Sequence, residues 1–193
     1  MRANTLIKLL ESRYPAVKAE SWDNTGFQVG RADKEIRKVF LALDATEEVI
    51  RQAVDAKADM LITHHPLMMS GVKKVTSESL MGRKIITLLQ NDICHYAMHT
   101  NYDVVELGHA AGAMLKLKRS AVLEVTWVDP DTMREEGIGM TGELLRPVTV
   151  EECAEIVKTV FKLDSVKIFG DRDRIVERVA VSPGSGKSMI PAA

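Results

Sequence analysis

Three short apolar runs, separated by segments that carry helix-start signals, constrain the fold of this chain most strongly. The runs lie at residues 39–43, 60–63 and 93–98. Short, continuous apolar runs are typical of strands that are buried on both faces. Residues 46–57 begin with Thr-Glu-Glu and residues 77–90 begin with Ser-Glu-Ser, which predicts a helix after each of the first two runs. This alternation of strands and helices with short links predicts a parallel sheet covered by helices.

Two further helices and a loop complete the prediction for this part of the chain. Apolar residues at helical spacing predict a helix over residues 5–14, which Pro15 ends. A second short helix is predicted over residues 108–115. Residues 20–26 are rich in turn formers and are predicted to form a loop.

A second domain is predicted where the chain becomes polar, near the Asp-Pro-Asp run at residues 129–131. The fold class is therefore α/β, with two α/β domains whose parallel-type sheets are flanked by helices. The first is expected over residues 1–127 and a partial one over residues 128–193. The second domain is expected to be incomplete, because residues 182–188 turn toward a helix that the chain does not reach. Its predicted elements are a helix that starts with a capping box and three strands, namely the helix 149–161 and the strands 137–145, 166–169 and 176–181.

Composition excludes several classes of protein. With 46% hydrophobic and 27% charged residues, the chain of 193 residues is not globally disordered. A net charge of −1 and an aromatic content of 5% argue against nucleic acid as a partner. No apolar run approaches the roughly 18 residues that span a bilayer, and Lys8 and Glu11 interrupt the one signal-like stretch, so no membrane partner is expected. Cys94 and Cys153 form no C-x-x-C pair, which is typical of a cytoplasmic protein.

Metal-capable side chains follow two successive predicted strands. His64 and His65 come directly after the strand at residues 60–63, and His99 and Asp103 follow the next strand along the chain. Functional groups of parallel α/β sheets gather at the carboxyl ends of the strands, so we expect these side chains to lie close together. Imidazoles combined with a carboxylate suit a divalent metal such as Zn, Fe or Mn.

The two adjacent histidines bear on the number of metal ions. In an extended backbone their side chains point in different directions, and Pro66 favours that conformation at His65, so one ion would bind both with difficulty. Two ions about 3.5–4 Å apart, bridged by Asp103, would satisfy this geometry and form a known hydrolytic arrangement. The alternative is that the histidines are hydrogen-bonded structural residues, which is the commoner role of a single histidine at the end of a strand.

Three other features receive structural interpretations. Residues 186–188 (Gly-Lys-Ser) match the second half of a phosphate-binding loop, but Val181 stands where the motif needs its first glycine, so a strand-to-helix turn is favoured. Trp22 is interpreted as a buried residue that anchors a tight turn, in preference to a wall of the metal cleft. His95 in a predicted strand and His109 in a predicted helix are interpreted as structural or surface residues.

Three motifs, taken together, resemble a known family. They are, in chain order, ESWDNTGFQVG at residues 20–30, ITHHPL at residues 62–67 and HTNYD at residues 99–103. In this order they resemble the NIF-three-like dinuclear metal centre family, whose members are often labelled GTP cyclohydrolase 1 type 2 homologues. The resemblance covers essentially the whole chain, since the glycine-rich turn at residues 182–190 is also similar. It implies two α/β domains, a toroidal homohexamer and a pair of divalent metal ions.

The resemblance also implies roles for individual residues. His64, His65 and Asp103 match metal ligands of the family, and His99 matches a histidine that lines the site. The family completes its site with a His and a Glu from a later segment, which is absent from this chain, so the site is expected to be incomplete or to work with fewer ligands.

The resemblance, taken with the residues that carry it, implies two alternative functions. The first is a dinuclear-metal hydrolase that acts on a purine nucleotide such as GTP, in which metal-activated water opens the imidazole ring and His99 transfers protons. The second is a metal-binding or regulatory ring without turnover, which the incomplete ligand set favours. The sequence therefore leaves enzymatic activity open.

Overall fold

The computed structural model describes residues 1–193 as two compact units, Met1–Tyr102 and Asp103–Ala193. Both contain helices and strands, which confirms the α/β class. The division falls earlier in the chain than the predicted boundary after residue 127. The physical reason is strand pairing, because β5 (Lys118–Val128) forms a hairpin with β6 (Glu135–Thr149) and both strands therefore belong to the second unit.

The first unit is built on a four-stranded sheet with the strand order β1-β4-β3-β2. As predicted, β2, β3 and β4 run parallel, and β1 is an additional strand that pairs antiparallel with β4. The chain leaves β1 through Gly30, whose φ of +115° favours glycine and where a Cβ would lie 2.8 Å from Cys94. The strands are β1 (Gly26–Val29), β2 (Val39–Ala42), β3 (Met60–Thr63) and β4 (Cys94–Ala97).

Helices cover both faces of this sheet, and the two that follow β2 and β3 begin where the sequence predicts. Thr46 Oγ1 accepts a hydrogen bond from Val49 N, and Ser79 Oγ accepts one from Gly82 N. Each bond satisfies a donor that a helix N-terminus leaves unpaired. The helices of the first unit are α1 (Ala3–Arg13), α2 (Glu47–Asp55), α3 (Leu80–Gln90) and the short α4 (Thr100–Tyr102).

Strand β3 shows how the core is divided between the two faces of the sheet. Leu61 belongs to the cluster that α2 and α3 cover, whereas Met60 and Ile62 belong to the cluster that α1 covers. Successive side chains of a strand point to opposite faces, and here both faces are covered. This explains why all four residues of β3 are buried and why the strand reads as a continuous apolar run.

The second unit contains a three-stranded antiparallel sheet with the order β5-β6-β7, so the predicted parallel-type sheet is wrong for this domain. A short connection between β5 and β6 requires antiparallel pairing, because a parallel pair needs a long crossover. Its elements are a π-helical turn (Asp103–Leu107), α5 (Gly108–Met114), β5 (Lys118–Val128), β6 (Glu135–Thr149), α6 (Val150–Val160), β7 (Ile175–Val181) and a 3-10 helix (Lys187–Ala192).

Some predictions for the second unit are confirmed, and one predicted strand is wrong. Helix α6 is confirmed, with Thr149 Oγ1 accepting a hydrogen bond from Glu152 N, and β7 is confirmed within one residue. The predicted strand at residues 166–169 is wrong, since these residues have no regular structure. After β7 the chain does reach a short 3-10 helix, which fits the predicted strand-to-helix turn. Across the whole structure, no helix has both the length and the apolar character that crossing a membrane requires.

Candidate metal centre

One edge of the first sheet collects polar side chains from all four strands. Strand β2 leads to Asp44, β3 leads to His64 and His65, and β4 leads to His99. These three strands are parallel, so their carboxyl ends lie at the same edge. Strand β1 runs in the opposite direction, so the loop that precedes it, which contains Asp23, reaches this edge as well.

Three histidines converge at this edge. One ring nitrogen from each of His64, His65 and His99 lies within 4.8 Å of the others, an arrangement that could hold a metal ion. The ring centroids are 5.1 Å apart for His64 and His65, 5.2 Å for His64 and His99, and 5.6 Å for His65 and His99. The structure thus brings together three of the side chains that the sequence singles out.

The adjacent histidines converge rather than diverge. The expectation that their side chains point apart assumes an extended backbone, but β3 ends at Thr63 and the chain bends at residues 64–65. Alternation between faces therefore stops before His64. As a result, both rings can offer a nitrogen to the same position.

The tautomer of each converging histidine follows from its hydrogen-bond partner. Nδ1 of His64 lies 2.8 Å from the carbonyl oxygen of Met98, Nδ1 of His65 lies 2.7 Å from Asp44, and Nδ1 of His99 lies 2.9 Å from Asp23. A carbonyl or an ionised carboxylate can only accept, so Nδ1 must carry the proton in each ring. In all three rings Nε2 is then the nitrogen with a lone pair for a ligand.

Asp23 is the most constrained carboxylate in the site. Its side chain is 0% exposed, and it accepts hydrogen bonds from His99 Nδ1, from the backbone N and Oγ1 of Thr100, and from Asn24 N. Burial raises the pKa of the Asp23 carboxyl, but the bonds from Thr100 and His99 outweigh burial and bring the pKa below its ordinary value. Asp23 is therefore ionised at neutral pH and holds the His99 ring in one orientation.

The oxygen partners of the histidines were not predicted from the sequence. Residues 20–26, which include Asp23, were predicted to form a loop, and the bond that Asp23 accepts from Asn24 N at 2.7 Å lies within it. Asp44 was not considered, although it follows the apolar run at residues 39–43 directly. The rule that groups gather at the carboxyl ends of parallel strands would have selected Asp44.

Asp103 stays a predicted ligand. It is half-buried and opens the π-helical turn Asp103–Leu107 of the second unit. The group of converging ring nitrogens consists of the three histidines and does not include it.

Of the two remaining histidines, His95 is a buried part of β4 and His109 lies in α5. Thr63 Oγ1 donates to the carbonyl oxygen of His65 at 2.6 Å and lies 2.8 Å from His95 Nε2. Since the hydroxyl proton is already engaged, His95 Nε2 must donate to Thr63. Burial lowers the pKa of His95 to about 4, so this ring is neutral at neutral pH. Its interpretation as a structural residue fits these contacts.

Trp22 is exposed, so its interpretation as a buried anchor is wrong. The residue is 60% exposed, and its ring centroid lies 5.9 Å from that of His99, with the two planes nearly perpendicular. The turn is instead anchored by the neighbouring side chains of Asp23 and Asn24, which bond to Thr100 and to the carbonyl oxygen of Met68.

The donor set fits a divalent transition metal. Three imidazoles whose Nδ1 atoms are all held by oxygen acceptors form a recurrent arrangement in sites for Zn and related ions. Fold and site together define an α/β protein with a candidate metal centre at the carboxyl edge of a parallel sheet.

Comparison with known proteins identifies the family. The sequence model of Duf34/NIF3 (NGG1p interacting factor 3) matches residues 1–193, and the chain belongs to this family. It is similar to a GTP cyclohydrolase 1 type 2 homolog of Clostridium perfringens, with 35% identity over 97% of this chain and 71% of the relative. A protein of the same description from Streptomyces coelicolor is 37% identical over 97% of this chain and 67% of the relative.

A solved structure confirms the fold. The crystal structure of a Bacillus cereus protein related to NIF3 matches with a TM-score of 0.91 and covers 100% of this chain and 79% of its own. Its sequence identity of 23% means that this likeness shows the fold alone.

Proposed function

We propose that this chain is a metal-dependent hydrolase that binds two divalent ions, of Zn, Fe or Mn, through His64, His65 and Asp103. The observation that carries the proposal is the convergence of His64, His65 and His99 with every Nδ1 donating to an oxygen. Rings held in this way have lost their rotational freedom before a ligand binds. Such hydrogen bonds fix the ring orientations and raise the basicity of Nε2, both of which favour metal binding.

The proposed reaction is hydrolytic opening of the imidazole ring of a purine nucleotide such as GTP. The name shared by the Clostridium and Streptomyces relatives supports this substrate. A bound divalent cation lowers the pKa of coordinated water toward about 7 and so supplies a nucleophile at neutral pH.

His99 is proposed to move protons in this reaction. Its Nδ1 is held by the ionised Asp23, so Nε2 is the atom that accepts a proton from water and returns it to the departing ring nitrogen. A buried carboxylate behind an imidazole orients the ring and stabilises its protonated form. The His99 side chain is 15% exposed, so a small molecule can approach it.

Metal content and turnover together test the proposal. We would measure metal per chain by elemental mass spectrometry on protein purified without chelators or affinity metal, and GTP turnover by chromatography. The variant His99→Ala should keep the metal and lose turnover, whereas the control His109→Ala should keep both. Loss of metal in His99→Ala would make His99 a ligand and contradict its proton-transfer role. Wild-type protein without metal would contradict the whole proposal.

A second candidate function is a metal-binding scaffold without turnover. The observation that favours it is that the converging group consists of three ring nitrogens, which suffice for one ion and not for two. Stoichiometric metal without turnover of any purine nucleotide would establish this alternative.

We also propose that the chain assembles into a homohexamer and resides in the cytoplasm. Strand β2 is an edge strand, and Leu41 and Leu43 beside that edge are 72% and 60% exposed, which supports a contact with another copy. Cys94 and Cys153 are free thiols, as is usual in a reducing compartment. Light scattering coupled to size exclusion would give the mass of the assembly, and a monomer at micromolar concentration would contradict the hexamer.

A further inference from the structure

An exposed tryptophan stands next to the proposed catalytic histidine. Trp22 is 60% exposed and meets the His99 ring at a centroid distance of 5.9 Å and an interplanar angle of 77°. A perpendicular contact of this kind is favourable but uses little of the indole surface. Most of the largest apolar side chain in the region is therefore left in water beside a polar site.

The turn that carries Trp22 is held firmly on both sides of the residue. Before it, Glu20 N donates to Thr100 Oγ1 at 2.9 Å, and after it, Asp23 N donates to the carbonyl oxygen of Glu20 at 2.9 Å. Asn24 then bonds to the carbonyl oxygen of Met68. The indole is thus attached to a backbone turn that these three hydrogen bonds hold in place.

We propose that Trp22 forms one wall of a ligand subsite at this edge and stacks on a planar heteroaromatic ring, such as the base of a purine nucleotide. This inference rests on the proposed function, because the base that stacks on Trp22 is the purine on which His99 is proposed to act. The indole of Trp22 is open to solvent beside His99, so it can stack on a ligand whose ring is flat and whose edge carries polar atoms. Any base can stack on a tryptophan, because every base has a π-face.

The polar surroundings favour such a ring over an aliphatic ligand. His99, which touches Trp22, belongs to a group of three imidazoles, and an aliphatic chain would bury these groups without giving them partners. A heteroaromatic ring places its π-face on the indole and its nitrogen and oxygen atoms toward the histidines. The same reasoning makes a purely apolar protein partner a poor occupant of this position.

Binding measurements with matched probes test the proposal. We would titrate metal-loaded protein with GTP and, separately, with inorganic tripolyphosphate, using calorimetry. The proteins would be wild type, Trp22→Leu, Trp22→Phe and the control Trp127→Phe, which changes the only other tryptophan. The affinity of Trp22→Leu for GTP should fall about tenfold or more, as expected for loss of one stacked base. Its affinity for tripolyphosphate and its metal content should not change, and Trp22→Phe should retain most of the affinity for GTP.

Several outcomes would overturn the subsite. One is an unchanged affinity of Trp22→Leu for GTP, including the case in which the variant alters only the mass of the assembly and so identifies an oligomer contact. Another is an equal loss of affinity for GTP and tripolyphosphate, which would indicate a general structural role. Failure of wild-type protein to bind any purine nucleotide would also overturn it, whatever the metal content.

The test separates this inference from the proposed hydrolysis. Binding of GTP that depends on Trp22 but leads to no turnover would support the subsite and contradict the hydrolase. Turnover of GTP with the same KM in Trp22→Leu as in wild type would support the hydrolase and contradict the subsite.

Discussion

The fully buried carboxylate of Asp23 lies 2.9 Å from Nδ1 of His99, although the two residues are 76 positions apart in the chain. Asp23 stands in the loop before β1, and His99 follows β4, so the antiparallel pairing of these two strands brings the residues together. The pair fixes the orientation and tautomer of the His99 ring. The orientations of the other two rings depend on similar hydrogen bonds, from His64 to the carbonyl oxygen of Met98 and from His65 to the carboxylate of Asp44.

Replacement of the buried carboxylate should lower turnover and leave the metal content unchanged. Asp23→Asn removes the charge that orients His99 and stabilises its protonated form, so proton transfer by His99 should slow and GTP turnover should fall by about 10²–10⁴-fold. The free energy of unfolding of metal-free protein should also fall, by about 1–3 kcal/mol, because hydrogen bonds to a buried charged group are lost. GTP turnover, metal content by elemental mass spectrometry and urea unfolding would measure these effects.

The matched control for this change is Asp33→Asn, since the Asp33 side chain is 74% exposed. It should alter neither turnover nor stability measurably. Equal behaviour of the two variants would contradict the positioning role of Asp23.

The metal count should respond to single ligand substitutions. If two ions are bound and Asp103 bridges them, Asp103→Ala should lower the occupancy of both ions, and His64→Ala should leave at most one ion per chain. Elemental mass spectrometry after gel filtration would report these numbers. Asp131→Ala, at an exposed position, should keep the wild-type count. A wild-type count in Asp103→Ala would remove Asp103 from the ligand set.

Stability should fall as the pH decreases from neutral, because of His95. Burial lowers its pKa to about 4 in the folded protein, against about 6.5 in the unfolded chain. Between these values the unfolded chain binds the proton first, so the stabilising contribution is complete above pH 6.5 and is lost as the pH falls toward 4. The slope that this one group contributes is about 1.4 kcal/mol per pH unit.

Urea unfolding at several pH values in the presence of a chelator would measure this slope without a contribution from metal release. His95→Gln should flatten the dependence, even if the variant is less stable at every pH. The control His109→Gln should keep the contribution of His95. A slope in His95→Gln as steep as in wild type would assign the pH dependence to other groups.

Two leucines in neighbouring strands should differ sharply in their contribution to stability. Leu61 in β3 is 0% exposed and belongs to the core beneath α2 and α3, whereas Leu41 in β2 is 72% exposed. Leu61→Ala should lower the free energy of unfolding by about 2–5 kcal/mol through lost burial and a residual cavity. Leu41→Ala should change it by less than about 0.5 kcal/mol in the monomer. A loss in Leu41→Ala that grows with protein concentration would report the proposed contact between copies, whereas equal losses in dilute, monomeric protein would contradict the exposed position of Leu41.

Local sequence patterns are sufficient for most elements of the first unit. Strands β2, β3 and β4 read as apolar runs because helices cover both faces of the sheet. Helices α2 and α3 carry capping residues that are visible in the sequence. Strand β5, in contrast, was not predicted, although residues 123–127 (LEVTW) alternate apolar and polar side chains as a half-buried strand does. The antiparallel sheet of the second unit went unpredicted because the hairpin of β5 with β6 depends on that strand.

The sequence by itself determined that the chain is an α/β protein and that histidines stand at the ends of neighbouring strands. Both facts depend on residue types within a few positions of each other, where periodicity and capping operate. The tertiary structure decided that His64 and His65 converge, that Asp23 and Asp44 hold the rings, and that Trp22 is exposed beside His99. These relationships depend on strand pairing, on a local bend after β3 and on contacts between distant residues, and no spacing in the sequence encodes them.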